Sequence, residues 1–411
     1  MRMRHRSPSQ LRSVAASFAA RARSSLCRAL PLLALVLLVT ACGVEYPQST
    51  ISPRTDFADI IHSLYTNIFW WTVLIGVLVW VLMGYILVRF REKPDQERPK
   101  QNHGNLGLEI GWTIGPALIV VAIAIPTIQA VFATQPDEEE VGEALVVDVI
   151  GNRFWWEFRY PESGVVTANE MHLPVDRPIR LRLQSADVIH SYWVPMLGGK
   201  RDVNPIVQTP EGEDPRYTYL HFTPYETGTY MGQCAEFCGL SHSLMGTRVI
   251  VESEEDFAAW EERMLNPSYT EAQLPAQPAA GTDEPGDAGA AADPAPMSEE
   301  EELIARGRQV FFQESYCVLC HAINGTAAAG NIGPDLTNVG SRGTIAAGML
   351  ENTPENLVRW IEDPASFKPG VNMPGAQSPA PREGGGEWQP TNLDEEQLEA
   401  LAAYLISLDG Q

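Results

Sequence analysis

Cys234-Ala-Glu236-Phe-Cys238-Gly-Leu-Ser-His242-Ser-Leu-Met245 sets two thiols four residues apart, an imidazole four residues later and a thioether three beyond that. A second imidazole, His190, lies upstream in Asp-Val-Ile-His190-Ser. Thiolates, imidazoles and a thioether are the soft and borderline donors that select copper. Two sulfurs in one loop can bridge two copper ions. The alternative is a disulfide between Cys234 and Cys238 in an oxidising compartment, which leaves His190, Glu236, His242 and Met245 without a role.

Around this loop lie short segments rich in β-branched and aromatic residues: Leu145 to Ile150, Phe154 to Tyr160, Ile179 to Leu183, Tyr217 to Phe222 and Gly246 to Val251, separated by turn residues. Such spacing predicts a β-sandwich or barrel. Residues 255 to 264 read as a short helix that closes the unit.

Towards the N-terminus, no residue from Ile60 through Val88 carries a formal charge, and Ile68 to Val88 is almost wholly apolar. A membrane-crossing helix needs about 20 such residues. Charge is absent again from Ile110 through Pro136, where Pro116 and Pro126 are tolerable in a membrane helix. The connecting loop carries Arg89, Arg91, Lys93, Arg98 and Lys100, so the positive-inside rule sets it in the cytoplasm. Everything after Pro136 is then outside.

The first 41 residues hold seven Arg and no Asp or Glu, followed by the apolar run Leu30 to Val39, too short to span a bilayer. This reads as a secretory signal. Val39-Thr40-Ala41-Cys42 resembles the lipobox of bacterial lipoproteins, which would make Cys42 the lipidated first residue of the mature chain. The formal charge of −23 becomes still more negative once those arginines leave. Such a chain has no basic footprint for nucleic acid.

On the C-terminal side, Pro, Ala, Gly, Asp and Glu dominate to about residue 296 and read as a disordered linker. A flexible chain of about 30 residues has an r.m.s. span of roughly 30 Å, so a domain beyond it stays at about millimolar effective concentration without tight docking. Glu301 to Gln313, Pro354 to Glu362 and Leu393 to Leu408 then show apolar faces at helical spacing. At the end of the first of these stands Cys317-Val-Leu-Cys320-His321, the pattern for covalent attachment of haem c. Its two thiols would form thioether bonds and its imidazole would take an axial position on iron; the alternative, a thioredoxin-like CxxC followed by His, belongs in a βαβ unit and not at the end of a helix in an α-domain.

The copper-selecting loop resembles, at every ligand position, the copper A centre of subunit II of haem-copper cytochrome c oxidases. The resemblance implies a cupredoxin-like fold in which Cys234 and Cys238 bridge two coppers. His190 and Met245 would complete one copper, and His242 with the carbonyl of Glu236 the other. It also implies that the Glu236 side chain helps hold a magnesium ion shared with subunit I, with Asp202 in Lys200-Arg201-Asp202 a lesser candidate. Phe154-Trp155-Trp156 resembles the aromatic cluster where a soluble cytochrome c delivers its electron, although the family's usual leading Trp is Phe154 here. Core packing is the plain alternative. Glu109 matches a Glu at the mouth of a proton-uptake channel, against the reading of a simple interfacial carboxylate.

Gly333-Pro334-Asp335-Leu336 and Lys368-Pro369-Gly370-Val371-Asn372-Met373-Pro374 resemble class I c-type cytochromes. The resemblance implies that Met373 is the sixth iron ligand, with Met349 as the alternative, and that the Pro334 carbonyl orients His321. The organisation expected is a signal at 1–41, an exported segment at 42–58, a two-helix transmembrane hairpin at 59–136, a cupredoxin-like β-sandwich at 137–264, a linker at 265–298 and an all-α class I cytochrome c domain at 299–411. It looks like the caa-type arrangement, in the bacterial inner membrane with both redox domains on the periplasmic side. Its partners would be subunit I, subunit III, and a soluble or membrane-bound cytochrome c or a bc-type complex as donor. Electrons would pass through haem c and copper A to subunit I, where dioxygen is reduced to water coupled to proton pumping.

Three rivals fare worse. A nitrous oxide reductase needs a second, His-rich copper cluster, and the chain has eight His in all. A quinol oxidase subunit II would lack the copper ligands. A copper chaperone of the Sco kind has its His far downstream of the cysteines, whereas His242 lies four residues after Cys238.

Overall fold

The computed structural model describes residues 46–91, 103–136, 142–205, 217–266, 297–382 and 384–409. The signal, Cys42, Lys93, Arg98 and Lys100 of the connecting loop, and nearly all of the linker lie outside the described residues.

Helix α1 (Asp56–Arg89) and helix α2 (Leu106–Ala133) are the two apolar spans. At 1.5 Å per residue, α1 is about 50 Å long, well beyond the ~30 Å of hydrocarbon. Its first turn uses the excess length. Thr55 caps the helix by accepting from the Ala58 amide and donates to Leu197 O at 2.7 Å. Asp56 accepts from the Thr223 amide at 2.7 Å, and Phe57 is buried against Gly198, where a Cβ would collide with its ring. The membrane hairpin is thereby joined to the β domain. Below that turn the side chains of both helices are largely exposed, as lipid contact requires.

Among the described residues, ten strands form two five-stranded sheets. One has the order β3 (Val166–Ala168), β2 (Trp155–Arg159), β1 (Leu145–Asn152), β5 (Ile179–Ser185), β8 (Thr218–Phe222). The other runs β4 (Glu170–Pro174), β10 (Gly246–Glu252), β9 (Gly228–Cys234), β6 (His190–Trp193), β7 (Arg201–Val203). Strict alternation buries Leu145, Val147 and Val149 on β1 and Thr247, Val249 and Val251 on β10. Together with Trp156, Phe158, Met171, Leu181 and Tyr192 they fill one core between the sheets. This is the cupredoxin-like sandwich. Helix α3 (Glu254–Leu265) closes it with Phe257, Trp260 and Met264.

Five of these strands carry the sequence signal, and β3, β4, β6, β7 and β9 do not. The reason lies in what each of these residues packs against. Strand β9 contains Gly232, where any Cβ would sit 2.7 Å from Trp193 O, and β6 begins on the buried imidazole of His190. Both trade strand propensity for position.

The C-terminal domain is mainly helical: α4 (Glu299–Gln309) running into a π-turn at Val310–Glu314, α5 (Cys317–Cys320), α6 (Pro354–Glu362), α7 (Pro364–Phe367) and α8 (Glu395–Ile406). Two-residue ladders, Thr344–Ile345 with Leu350–Glu351 and Ala380–Pro381 with Glu387–Trp388, interrupt the all-α expectation. Ser298 with Glu301 and Asp394 with Gln397 form capping boxes that start α4 and α8. These two helices cross at Gly307, where a Cβ would drive into the Ala400 carbonyl. Phe311, Leu401 and Tyr404 are buried around that crossing.

Candidate metal centres

Strands β6 and β9 and the turn before β10 converge at one end of the sandwich. Cys234 ends β9, His190 opens β6 beside it, and a short turn at His242–Leu244 brings Met245 back under the loop. Cys234 and Cys238 are free thiols with sulfurs 3.8 Å apart. His190 Nδ1 lies 3.8 Å from Cys234 Sγ, His242 Nδ1 3.7 Å from Cys238 Sγ, and Met245 Sδ 3.9 Å from Cys238 Sγ. The Glu236 carbonyl is 3.2 Å from Cys234 Sγ. Ligands sharing a metal through bonds of about 2.0–2.3 Å stand roughly 3–4 Å apart. The spacing fits metal-bridged thiolates and not a disulfide, whose sulfurs would sit at ~2 Å.

His190, Cys234, Cys238 and Met245 are all buried. Burial drives His190 towards neutrality, but hydrogen bonds to Asp187 and Cys234 outweigh it and hold its pKa above the ordinary imidazole value. Asp187 Oδ1 lies 2.7 Å from His190 Nε2. Burial pushes this carboxyl up, yet His190 and the amides of Val188 and Arg153 bring it below its usual range. The two thiols split: the hydrogen bond from Cys238 stabilises the Cys234 thiolate, and the same contact pushes Cys238 up. Such a site takes up metal by releasing protons. Asp187 sits three residues before His190 in the sequence, and that short spacing was the one signal that could have revealed it as the second partner of the ring.

Glu236 and Asp202 are both exposed, the latter opposite Ser191 in the β6–β7 register. Trp156 is 0% exposed and stacks edge-on to His190 and Tyr192, at 5.8 and 5.0 Å between ring centroids. It therefore sits in the core beneath the Cys234–Met245 loop. Phe154 is 3% exposed, and with Trp155 it lines a cavity that belongs mostly to the C-terminal domain.

That cavity contains Cys317, Cys320, His321 and Met373, walled by Leu336, Ile345, Leu357, Trp360 and Ile361. His321 Nδ1 stands 2.8 Å from the Pro334 carbonyl, which leaves Nε2 for a metal. Burial keeps this imidazole neutral, against the opposing pull of that carbonyl. Gly333 lies flat against the ring; a Cβ there would fall 2.6 Å from His321 Cε1. Burial also raises the Cys317 and Cys320 pKa values. Met349 is not among the residues lining the cavity. Two free thiols, a neutral imidazole and a thioether around an apolar slot are the donor set that a covalently bound haem requires.

Glu109 lies away from both centres, in the first turn of α2, where its Oε1 accepts from the Asn105 amide at 3.3 Å.

Residues 45–130 match the family model for the transmembrane domain of cytochrome c oxidase subunit II, 164–253 its periplasmic domain, and 304–409 the cytochrome c model. Cytochrome c oxidase subunit 2 of Alkalihalophilus pseudofirmus is 36% identical over 93% of this chain and 96% of that protein. The protein of the same name from Bacillus subtilis is 34% identical over 93% of this chain and 98% of its own length. Among solved structures, the periplasmic domain of subunit II of cytochrome oxidase from Bradyrhizobium japonicum is similar at 30% identity, covering 30% of this chain and 94% of that one, with a TM-score of 0.27.

Proposed function

The chain belongs to the subunit II family of cytochrome c oxidases, and on that premise we propose that His190, Cys234, Glu236 through its carbonyl, Cys238, His242 and Met245 hold a binuclear copper A centre, while Cys317 and Cys320 attach a haem c that His321 and Met373 ligate. The protein is an electron-transfer subunit of a haem-copper terminal oxidase, with copper A and haem c as its cofactors and subunit I as its partner. Bound copper and haem supply one-electron carriers that change charge without moving atoms far. The chain's own residues hold them: the buried sulfurs and His190 exclude water, Asp187 fixes the His190 ring, and the Pro334 carbonyl fixes His321.

The observation that carries this reading is the pair of unlinked sulfurs 3.8 Å apart, ringed by two imidazoles, a thioether and a carbonyl. In the fuller reading the exposed Glu236 carboxylate shares a magnesium ion with subunit I. Cys42 anchors the chain by a lipid, the hairpin crosses the bacterial inner membrane, and both redox domains lie on the periplasmic side. Subunit III and a cytochrome c or bc-type donor complete the assembly. Proton pumping accompanies dioxygen reduction in subunit I, with Glu109 near a proton entrance. The test is Cys234→Ser in the intact oxidase, with copper content and optical spectrum as readouts. The near-infrared and purple absorption of copper A should vanish while the haem bands remain. A variant that still holds two coppers would overturn the assignment.

A further inference from the structure

Where the cytochrome domain meets the copper domain, buried polar groups of one are satisfied by the other. Glu170, on edge strand β4, is only 4% exposed. Its Oε2 accepts from the Gly343 amide at 3.0 Å and its Oε1 from the Thr344 hydroxyl at 2.6 Å, with Arg248 3.7 Å away. Lys368 is 2% exposed and donates across the boundary to Phe154 O at 2.5 Å and within its own domain to Ala346 O at 3.3 Å. Burying a polar or ionisable group without hydrogen-bond partners is costly. The Gly343, Thr344 and Phe154 partners exist only while the domains touch; Arg248 and Ala346 O stay within each group's own domain.

The same boundary runs along both ligand loops. Ser241, fully buried beside His242, donates to Pro369 O at 2.8 Å, four residues before Met373. Gly246, directly after Met245, lies so close to the neighbouring domain that a Cβ would fall 2.7 Å from Ala347 O. Phe154 and Trp155 wall the haem cavity from the copper side.

We propose that the fused cytochrome rests in one fixed docked pose, clamped by Glu170 on Gly343 and Thr344, with the Ser241–Pro369 hydrogen bond joining the copper-ligand loop to the loop that carries Met373. Glu170, Ser241 and Lys368 are positioning residues for transfer between the two centres. The linker then keeps the domain near but does not set its geometry. In this pose the Phe154–Trp155 surface is covered, so a soluble cytochrome must hand its electron to the fused haem. The inference rests on the copper A and haem c assignment for its redox meaning, while the docking itself is measurable without it.

The test uses the intact oxidase and two readouts. Hydrogen exchange at the Gly343 amide reports docking, and the rate of intramolecular electron transfer, followed against solvent viscosity, reports its consequence. The wild type should show slow exchange there and a viscosity-independent rate. Losing both hydrogen bonds to the carboxylate in Glu170→Ala should speed exchange at Gly343 by about tenfold or more, with α8 exchange and both optical spectra unchanged, and should make electron transfer viscosity-dependent. Glu170→Gln, which keeps an acceptor oxygen, should restore part of the protection. Should Glu170→Ala fail to fold, Thr344→Val removes one bond from the cytochrome side and should shift both readouts in the same direction. Fast exchange at Gly343 in the wild type, or viscosity dependence already present there, would overturn the fixed pose. Protection at Gly343 that neither variant alters would overturn the role of Glu170. Missing copper A or haem c spectra in the wild type would overturn the metal assignment and with it the redox half of the inference, leaving the exchange result to judge the docking.

Discussion

His190 is held from both sides: its Nε2 stands 2.7 Å from Asp187 Oδ1, and its Nδ1 faces Cys234 Sγ at 3.8 Å. The carboxylate fixes which ring nitrogen faces Cys234 and raises its basicity. Asp187→Asn keeps the shape and removes the charge. Copper retention should fall by roughly tenfold to a hundredfold in a chelator competition, the usual range for such partners. The haem bands should not change. Retention equal to that of the wild type would make Asp187 a structural residue only.

The same geometry makes copper uptake by the metal-free chain depend on pH. Because His190 carries a raised pKa, despite burial, its proton is bound below that value and is lost as pH rises through it. Asp187, with a lowered pKa, keeps its charge until pH falls through its depressed value. Between the two the ion pair is intact, and copper must displace the His190 proton together with the one shared by the thiols. Apparent copper affinity should therefore weaken as pH falls from about 8 to about 6. Calorimetry in buffers of different ionisation enthalpy would count the protons released. Uptake with no proton release over that range would contradict this account.

Met373 lines the haem cavity with His321, and Met349 does not. Met373→Ala should leave haem attached through Cys317 and Cys320 while its iron turns high-spin or its midpoint potential falls, since a thioether ligand raises the potential. Met349→Ala should change neither. An unaltered potential in Met373→Ala would transfer the sixth-ligand role to Met349.

Glu109 already has a structural task, accepting from the Asn105 amide at the start of α2. Glu109→Gln retains an acceptor for that amide and loses the titratable group. Proton uptake in reconstituted membranes should slow while the copper and haem spectra stay the same. Wild-type turnover would leave Glu109 as a helix-start residue and nothing more.

Deleting residues 299–411 uncovers Phe154 and Trp155 and removes the fused haem site. The truncated oxidase should keep copper A yet accept electrons poorly from a soluble cytochrome c. Phe154→Trp in that form should restore part of the rate, because it supplies the aromatic that the family's entry cluster usually has. In the full-length protein the same change should have little effect on turnover. If the truncated enzyme oxidises soluble cytochrome c as fast as the intact one, the fused haem is not the point of entry.

What the sequence alone determined was whatever chemistry and period write locally. The spacing of Cys234, Cys238, His242 and Met245, the Cys317-Val-Leu-Cys320-His321 pattern, two charge-free apolar runs and the alternating strands β1 and β10 can each be read within a few residues. Donor softness, bilayer thickness and side-chain alternation do not depend on the rest of the chain. What only the tertiary structure decided involves pairs distant in sequence. Glu170 meets Thr344 across 174 residues, Lys368 reaches Phe154 across 214, and Trp156, which reads equally as a surface entry residue or as core, is placed in the core against His190. Strands β4, β6 and β9 were equally unreadable, because their residues are chosen for a neighbour: Gly232 for the Trp193 carbonyl, His190 for Asp187 and Cys234, Glu170 for another domain. A residue selected for a distant partner has no local period, and only the folded chain brings that partner to it.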